Sequence, residues 1–190
     1  MSLLELVTKN RSRRRFYQDH AIERETLVEL VNLARLSPSG MNRQPLKFFL
    51  SNTPEMNARI FPHLGWAGYL EGWGGPAEGE RPSAYIIILG DKRISESFGI
   101  DPGIAAQSIM LGATEMGLGG CIIGSAKQEQ VSQALALPDH FAILLVLALG
   151  KPKELAQIEP LGADGDIRYW RDAEGGHHVP KRSLEEIIIN

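Results

Sequence analysis

The chain has 190 residues, 43% hydrophobic and 23% charged, with a formal net charge of −3. That length suits one domain able to bury a core without staples, and the composition and mild negative charge favour neither a nucleic-acid nor a membrane partner. Cys121 is the single cysteine, so no intrachain disulfide forms, and Met1-Ser2-Leu3 opens into LLELV without a basic or long apolar leader; both point to the cytoplasm. The longest apolar run, 141–149, is too short to cross a bilayer as a helix.

Leu3, Leu4, Leu6 and Val7 form a short helical stripe that runs into Arg11-Ser12-Arg13-Arg14-Arg15, where four of five positions are arginine. Like charges packed together repel, so a folded chain leaves them in solvent or gives them an anion, and Ser12 adds a hydroxyl for the same oxygens. No further basic stripe or interleaved aromatics accompany them, which favours a single phosphate group over nucleic acid. Leu27, Leu30, Val31 and Ala34 then follow helical spacing across 23–35.

That helix feeds the stretch 34–45, ARLSPSGMNRQP. Ser37, Ser39, Asn42 and Gln44 supply donors and acceptors, Gly40 permits close backbone approach, and Pro38 and Pro45 stiffen the chain. Such a loop suits a planar, polar-edged ligand. The same residues also make ordinary turns, so a plain helix-to-strand connection stays open. LKFFL at 46–50 reads as a strand, and Ser51-Asn52-Thr53-Pro54 as the stretch that bounds it and caps a helix reaching about Phe61. Residues 62–82, rich in glycine and proline, place Trp66, Tyr69 and Trp73 close together; the aromatics either cover a flat ligand or anchor the loop.

YIIIL at 85–89 reads as a buried strand. Asp101-Pro102 reads as a cap followed by the first helical residue of 102–116, whose apolar residues cover most of its circumference, so that helix is central or lies in a subunit interface. The stretch 117–125, GLGGCIIGS, has dinucleotide-like glycine spacing in the wrong order, since a helix precedes the glycines and a strand follows them. It does offer Gly124-Ser125 at a strand end, where a ligand can meet backbone N–H groups. Cys121 reads as a small buried hydrophobe. A short helix is expected at 128–137, then the central strand 141–149. The tail is polar, with Lys181-Arg182 as a second basic site and a capping box at Ser183. His177 and His178 point in different directions and have no companion ligands, which argues against a metal site. The layout is an α+β sandwich of helices on a small mixed sheet.

Taken together, these pieces resemble the nitroreductase family of FMN-dependent oxidoreductases over nearly the whole length. RSRRRF resembles its arginine-serine-x-arginine phosphate motif, SPSGMNRQP its flavin loop, GLGGCIIGS the glycine stretch after its central helix, and HHVPKRS its late basic pair. The resemblance implies a single FMN-binding domain over 1–190, a three-layer α/β/α sandwich with a mainly antiparallel sheet. It implies a homodimer with flavin sites between subunits and ping-pong reduction of nitroaromatic, quinone or related acceptors by NAD(P)H. By the same resemblance Arg11, Ser12 and Arg14 meet the phosphate, ribityl and pyrimidine side, joined by Lys181 and Arg182 at the phosphate. Pro38, Ser39, Gly40, Asn42 and Gln44 meet the isoalloxazine of the neighbour's flavin, and Ile123, Gly124 and Ser125 line the side bearing N5. No catalytic side chain or metal is expected beyond the cofactor. Asn10 departs from the family pattern, which carries another basic residue there, and residues 62–82 match it poorly. A flavin enzyme with a different reaction, or a non-enzymatic helical module whose arginines dock an acidic partner, are the rival readings.

Overall fold

The computed structural model describes all residues 1–190. Alternation along two central strands explains its layering. In β3 (Ala84–Asp91) and β5 (Phe141–Pro152), successive side chains point to opposite faces of the sheet. Ile86, Ile88, Leu147 and Leu149 therefore meet α2 (Arg24–Leu36) and α4 (Asp101–Glu115) on one side. On the other, Tyr85, Ile87, Val146 and Ala148 share a core with Ile60 at the end of α3 (Pro54–Ile60) and with Val131 and Leu135 of α5 (Gln128–Leu135). The result is the expected α/β/α sandwich.

Two shorter strands, β1 (Phe16–Tyr17) and β2 (Leu46–Ser51), flank these two. The main sheet runs β1-β5-β3-β2, with β4 (Gly119–Ile123) also on β5, and every one of these pairings is antiparallel. Parallel pairing is confined to a lone bridge between Ser12 and Gly120 and to a second sheet in the tail. That sheet, ordered β6 (Ala156–Pro160), β8 (His177–Lys181), β7 (Trp170–Arg171), falls where the sequence reads only as polar. Its strands are short and mix half-buried with exposed residues, so no run of alternating apolar residues announces them.

Local signals hold at several ends. The Thr53 hydroxyl accepts from the Met56 amide to cap α3, and Ser183 and Glu186 form the capping box of α6 (Leu184–Ile187). The first helix, α1 (Leu3–Lys9), also carries a capping box and buries none of its residues. Two expectations are corrected. Helix α5 stops at Leu135 because Ala136 turns left-handed, at φ 50°. Asp101 is not the cap of α4; Ile100 takes that position without a side-chain cap, and the Asp101 carboxylate points elsewhere.

Between the 3-10 turn Phe61–His63 and β3 the chain forms no helix or strand. The aromatics anchor this segment. Trp66 packs on Phe61 at 5.7 Å and on Trp73 at 6.4 Å between ring centroids, and Tyr69 packs on Tyr169 at 5.1 Å. Gly75, at φ +116°, lies flat against Trp66, where a Cβ would come within 2.5 Å of the indole.

Candidate functional site

The arginine run does not act as one cluster. Arg15 is taken by Glu80, bonded from Nε at 2.6 Å and from Nη2 at 2.7 Å, and that pairing holds the Glu80 carboxyl down at about 2. Arg13 donates to the backbone carbonyl of Glu154. The Glu154 carboxylate is fully buried; it accepts the amides of Arg14 and Arg15 and an ion pair from Arg171 at 2.9 Å. A buried charge so paired fixes the backbone path of residues 13–15.

With Arg13 and Arg15 spent on the fold, Arg11 and Arg14 turn into a cleft of about 250 Å³ together with Ser12 and Lys181. Its lining holds three cations and no carboxylate, and none of the three has an ion-pair partner on the chain. Arg11 donates to the Val7 carbonyl at 2.8 Å, while its Nε is buried with no partner; burial pulls its pKa below the usual arginine range. Arg14 lies over the Tyr169 ring at 5.0 Å and its Nη1 sits 3.4 Å from Nε2 of His177. Burial, with Arg14, Arg171 and Arg13 nearby, lowers His177 to about 4, so the imidazole is neutral. Ser12 is held in register by its bridge to Gly120, whose carbonyl accepts the Arg13 amide at 2.8 Å. Arg182 is not in the cleft; it is exposed and paired with Glu186 at 3.0 Å.

The polar turn lies elsewhere. Pro38, Ser39 and Gln44 line a second cleft of about 230 Å³ with Phe48, Asp101 and Ala105. The Asp101 carboxylate accepts the Ser39 hydroxyl at 2.6 Å and the Gly40 amide at 2.9 Å, and Ser39 Oγ in turn accepts the Gln44 amide at 3.0 Å. Within this clamp Met41, Asn42 and Gln44 all adopt left-handed φ, 53°, 52° and 52°. Such strain in non-glycine residues persists only where surrounding contacts over-determine it. Asn42, Arg43 and Gln44 are exposed, with Arg43 turned back to the Met41 sulfur at 3.2 Å.

Helix α4 separates the two clefts. Asp101 and Ala105 face the turn, whereas Gln107 and Met110 line the basic cleft; at about 100° per residue those pairs lie on opposite sides of the helix. Within one chain the basic residues and the turn therefore do not meet. Ile123 is buried in the core, while Gly124 has open space where a Cβ would stand and Ser125 is exposed, its hydroxyl donating to the Gly65 carbonyl at 3.1 Å.

Sequence reasoning missed Glu80, Glu154, Tyr169 and His177. Glu154 follows the apolar strand as a lone acid with no spacing signal, and its role depends on contacts some 140 positions away. Asp101 was visible only as a helix cap. A surplus of arginines over what one phosphate needs is the signal that some would find acids.

An α/β/α sandwich with an antiparallel sheet, an acid-free basic cleft on one side of its central helix and a clamped polar turn on the other define an α+β protein whose cleft has the chemistry to suit an anionic ligand. The profile of the Nitroreductase family matches residues 7–69 and 79–151, and the chain belongs to that family. A protein of Archaeoglobus fulgidus provisionally named NADH dehydrogenase/NAD(P)H nitroreductase is 26% identical over 148 residues, 74% of this chain and 80% of that one. An FMN reductase (NADPH) of Bacillus subtilis is 41% identical over 63 residues, 32% of this chain and 25% of that protein. The crystal structure of a nitroreductase family protein from Clostridium novyi superposes with a TM-score of 0.67 at 26% identity, covering 80% of this chain and 88% of the other.

Proposed function

We propose that this chain is an FMN-dependent NAD(P)H oxidoreductase that works as a cytoplasmic homodimer and reduces nitroaromatic, quinone or related small acceptors by a ping-pong mechanism. The observation that carries the reading is the acid-free cleft holding Arg11, Arg14 and Lys181 without ion-pair partners. Three converging cations of this kind are costly to leave unpaired and suit a phosphate monoester. The buried, unpartnered Nε of Arg11 is one donor such an oxygen would satisfy. The names of the A. fulgidus and B. subtilis relatives support the nicotinamide and flavin parts.

Bound there, FMN would supply the redox chemistry, taking electrons from NAD(P)H and passing them to the acceptor. Arg11, Ser12 and Lys181 would hold the phosphate, while Arg182, exposed and paired with Glu186, would stay off it. Arg14, fixed between Tyr169 and His177, would set a cation beside the pyrimidine, where negative charge develops on reduction. The turn 38–44 faces away from this cleft in its own chain, which supports a site completed by the partner's turn. Exposed Leu36 and Met41 beside the turn, and exposed Leu3 and Leu4 of α1, are apolar surface that a second copy would cover. Ile123, Gly124 and Ser125 would form the remaining wall, with the open space at Gly124 leaving the backbone accessible. The whole chain, 1–190, would serve as one FMN-binding domain.

Purified protein tests the reading. It is expected to be yellow, or to become so with added FMN, and to bleach with NADH or NADPH in the absence of oxygen. A colourless protein that retains no FMN on gel filtration refutes it.

A further inference from the structure

A third cleft, of about 240 Å³, shares no residue with the two described above. Three of its lining residues are spaced two apart where the chain enters β3: Arg81, Ser83 and Tyr85. Arg81 Nε, Ser83 Oγ and Tyr85 Oη are all buried, and none has a hydrogen-bond partner. Exposure falls from the half-buried Arg81 through Ser83 at 8% to Tyr85 at 0%, so the cation sits at the mouth and the phenol at the floor. The Arg81 guanidinium lies over the Phe61 ring at 4.4 Å and forms no ion pair.

Neighbouring amides make bonds of their own with other groups. Asn57 Nδ2 donates to the Ser83 carbonyl at 2.7 Å and its Oδ1 accepts from Ser51 at 2.7 Å. Asn52 Nδ2 donates to the Ile22 carbonyl at 3.1 Å, and Gln18 Oε1 accepts the amides of Gly79 and Arg81 at 2.8 and 3.1 Å. Native proteins leave few buried polar groups unmatched, because each forfeits the hydrogen bonds it made in water. None of the three bonds to an acceptor of the chain, the Asp19 carboxylate in the same lining included.

All three groups donate, and one is a fixed cation. Asp19 is the single acid in the lining, so the site carries one positive and one negative charge. A dianion would meet Asp19 unfavourably, whereas a single carboxylate is matched by Arg81 and has two oxygens for the two hydroxyls. We propose that this cleft is a binding site for a small monocarboxylate, held by Arg81, Ser83 and Tyr85 and separate from the basic cleft.

Titration of the purified full chain with acetate, followed by ¹H–¹⁵N NMR, tests this. Saturable shifts are expected at the backbone amides of residues 81, 83 and 85 and at the buried Arg81 Nε–H. Arg81→Met and Tyr85→Phe should each weaken binding about tenfold or more, the loss expected when a hydrogen bond to a charged group is removed; FMN content should stay unchanged. Tyr85→Phe keeps the packing, so it remains informative if Arg81→Met folds poorly. Shifts that never saturate, or affinity unchanged in Tyr85→Phe, overturn the site and leave water as its occupant. Inorganic phosphate binding as tightly as acetate overturns the monocarboxylate assignment.

Discussion

Asp101 accepts the Ser39 hydroxyl at 2.6 Å, tying the first turn of α4 to a loop 62 positions away in sequence. With the Gly40 amide on its other oxygen at 2.9 Å, the carboxylate is what holds Met41, Asn42 and Gln44 in left-handed backbone. Asp101→Ala should therefore release the turn, at a cost of roughly 1.5–3 kcal/mol for each hydrogen bond to a charged group. Trypsin, cutting after the exposed Arg43, should cleave the variant faster than the parent in flavin-free protein. Unchanged cleavage would show that the clamp does not hold the turn.

The two late basic residues should separate. Lys181 lines the basic cleft, whereas Arg182 is exposed and spent on Glu186. Lys181→Ala should weaken FMN binding about tenfold or more, by loss of a charge-assisted contact, while Arg182→Ala should change it little. Flavin fluorescence titration of both variants measures the difference. Equal losses would place Arg182 on the ligand after all.

The adjacent histidines carry opposite pH dependences. His178 is bonded to Asp172 and Glu159, both at 2.8 Å, and those bonds raise its pKa. Its stabilisation of the tail sheet is full below the unfolded value of about 6.5 and is lost as pH rises through the higher folded value. Burial instead lowers His177 to about 4, so its contribution is present above about 6.5 and lost as pH falls towards 4. Thermal melts across this range should lose alkaline sensitivity in His178→Gln and acid sensitivity in His177→Gln. A variant that keeps the parent's profile removes that histidine from the account.

Glu154 is the buried counter-ion of Arg171 and the acceptor for two backbone amides of the arginine run. Glu154→Ala leaves Arg171 without its partner and should destabilise the fold by about 3–5 kcal/mol. Chemical denaturation of parent and variant reads that difference, and a loss under about 1 kcal/mol would contradict the structural role.

Much of the fold is legible because it rests on local signals. The helical stripe Leu27–Leu30–Ala34, the continuous apolar runs of β3 and β5, and the caps at Thr53 and Ser183 each follow from neighbours within a few residues. The polar turn and the basic positions Arg11, Ser12, Arg14 and Lys181 were likewise visible as chemistry in search of a ligand. What sequence could not show depends on distant contacts. Nothing near Arg13 or Arg15 reveals that Glu154 and Glu80 will take them, and nothing near Asp101 distinguishes a helix cap from a loop clamp. The tail sheet was hidden because its strands are short, and its partial burial leaves no clean alternation. The placement of the turn and the basic cleft on opposite sides of α4 is a property of the assembled layers.

That placement also supplies the most direct test of the proposed flavin site, in which one chain provides the cations and its partner the turn. One variant carries Arg14→Ala and Lys181→Ala, the other Asn42→Ala and Gln44→Ala, and each alone should bind little FMN. Unfolded together and refolded as mixed dimers, they contain one interface where both halves are intact. Random pairing makes half of the dimers mixed, each with one intact site of two, so mixing should restore FMN binding and NAD(P)H-dependent bleaching to about a quarter of the parent level per chain. No recovery on mixing, in dimers shown to have formed, would contradict it.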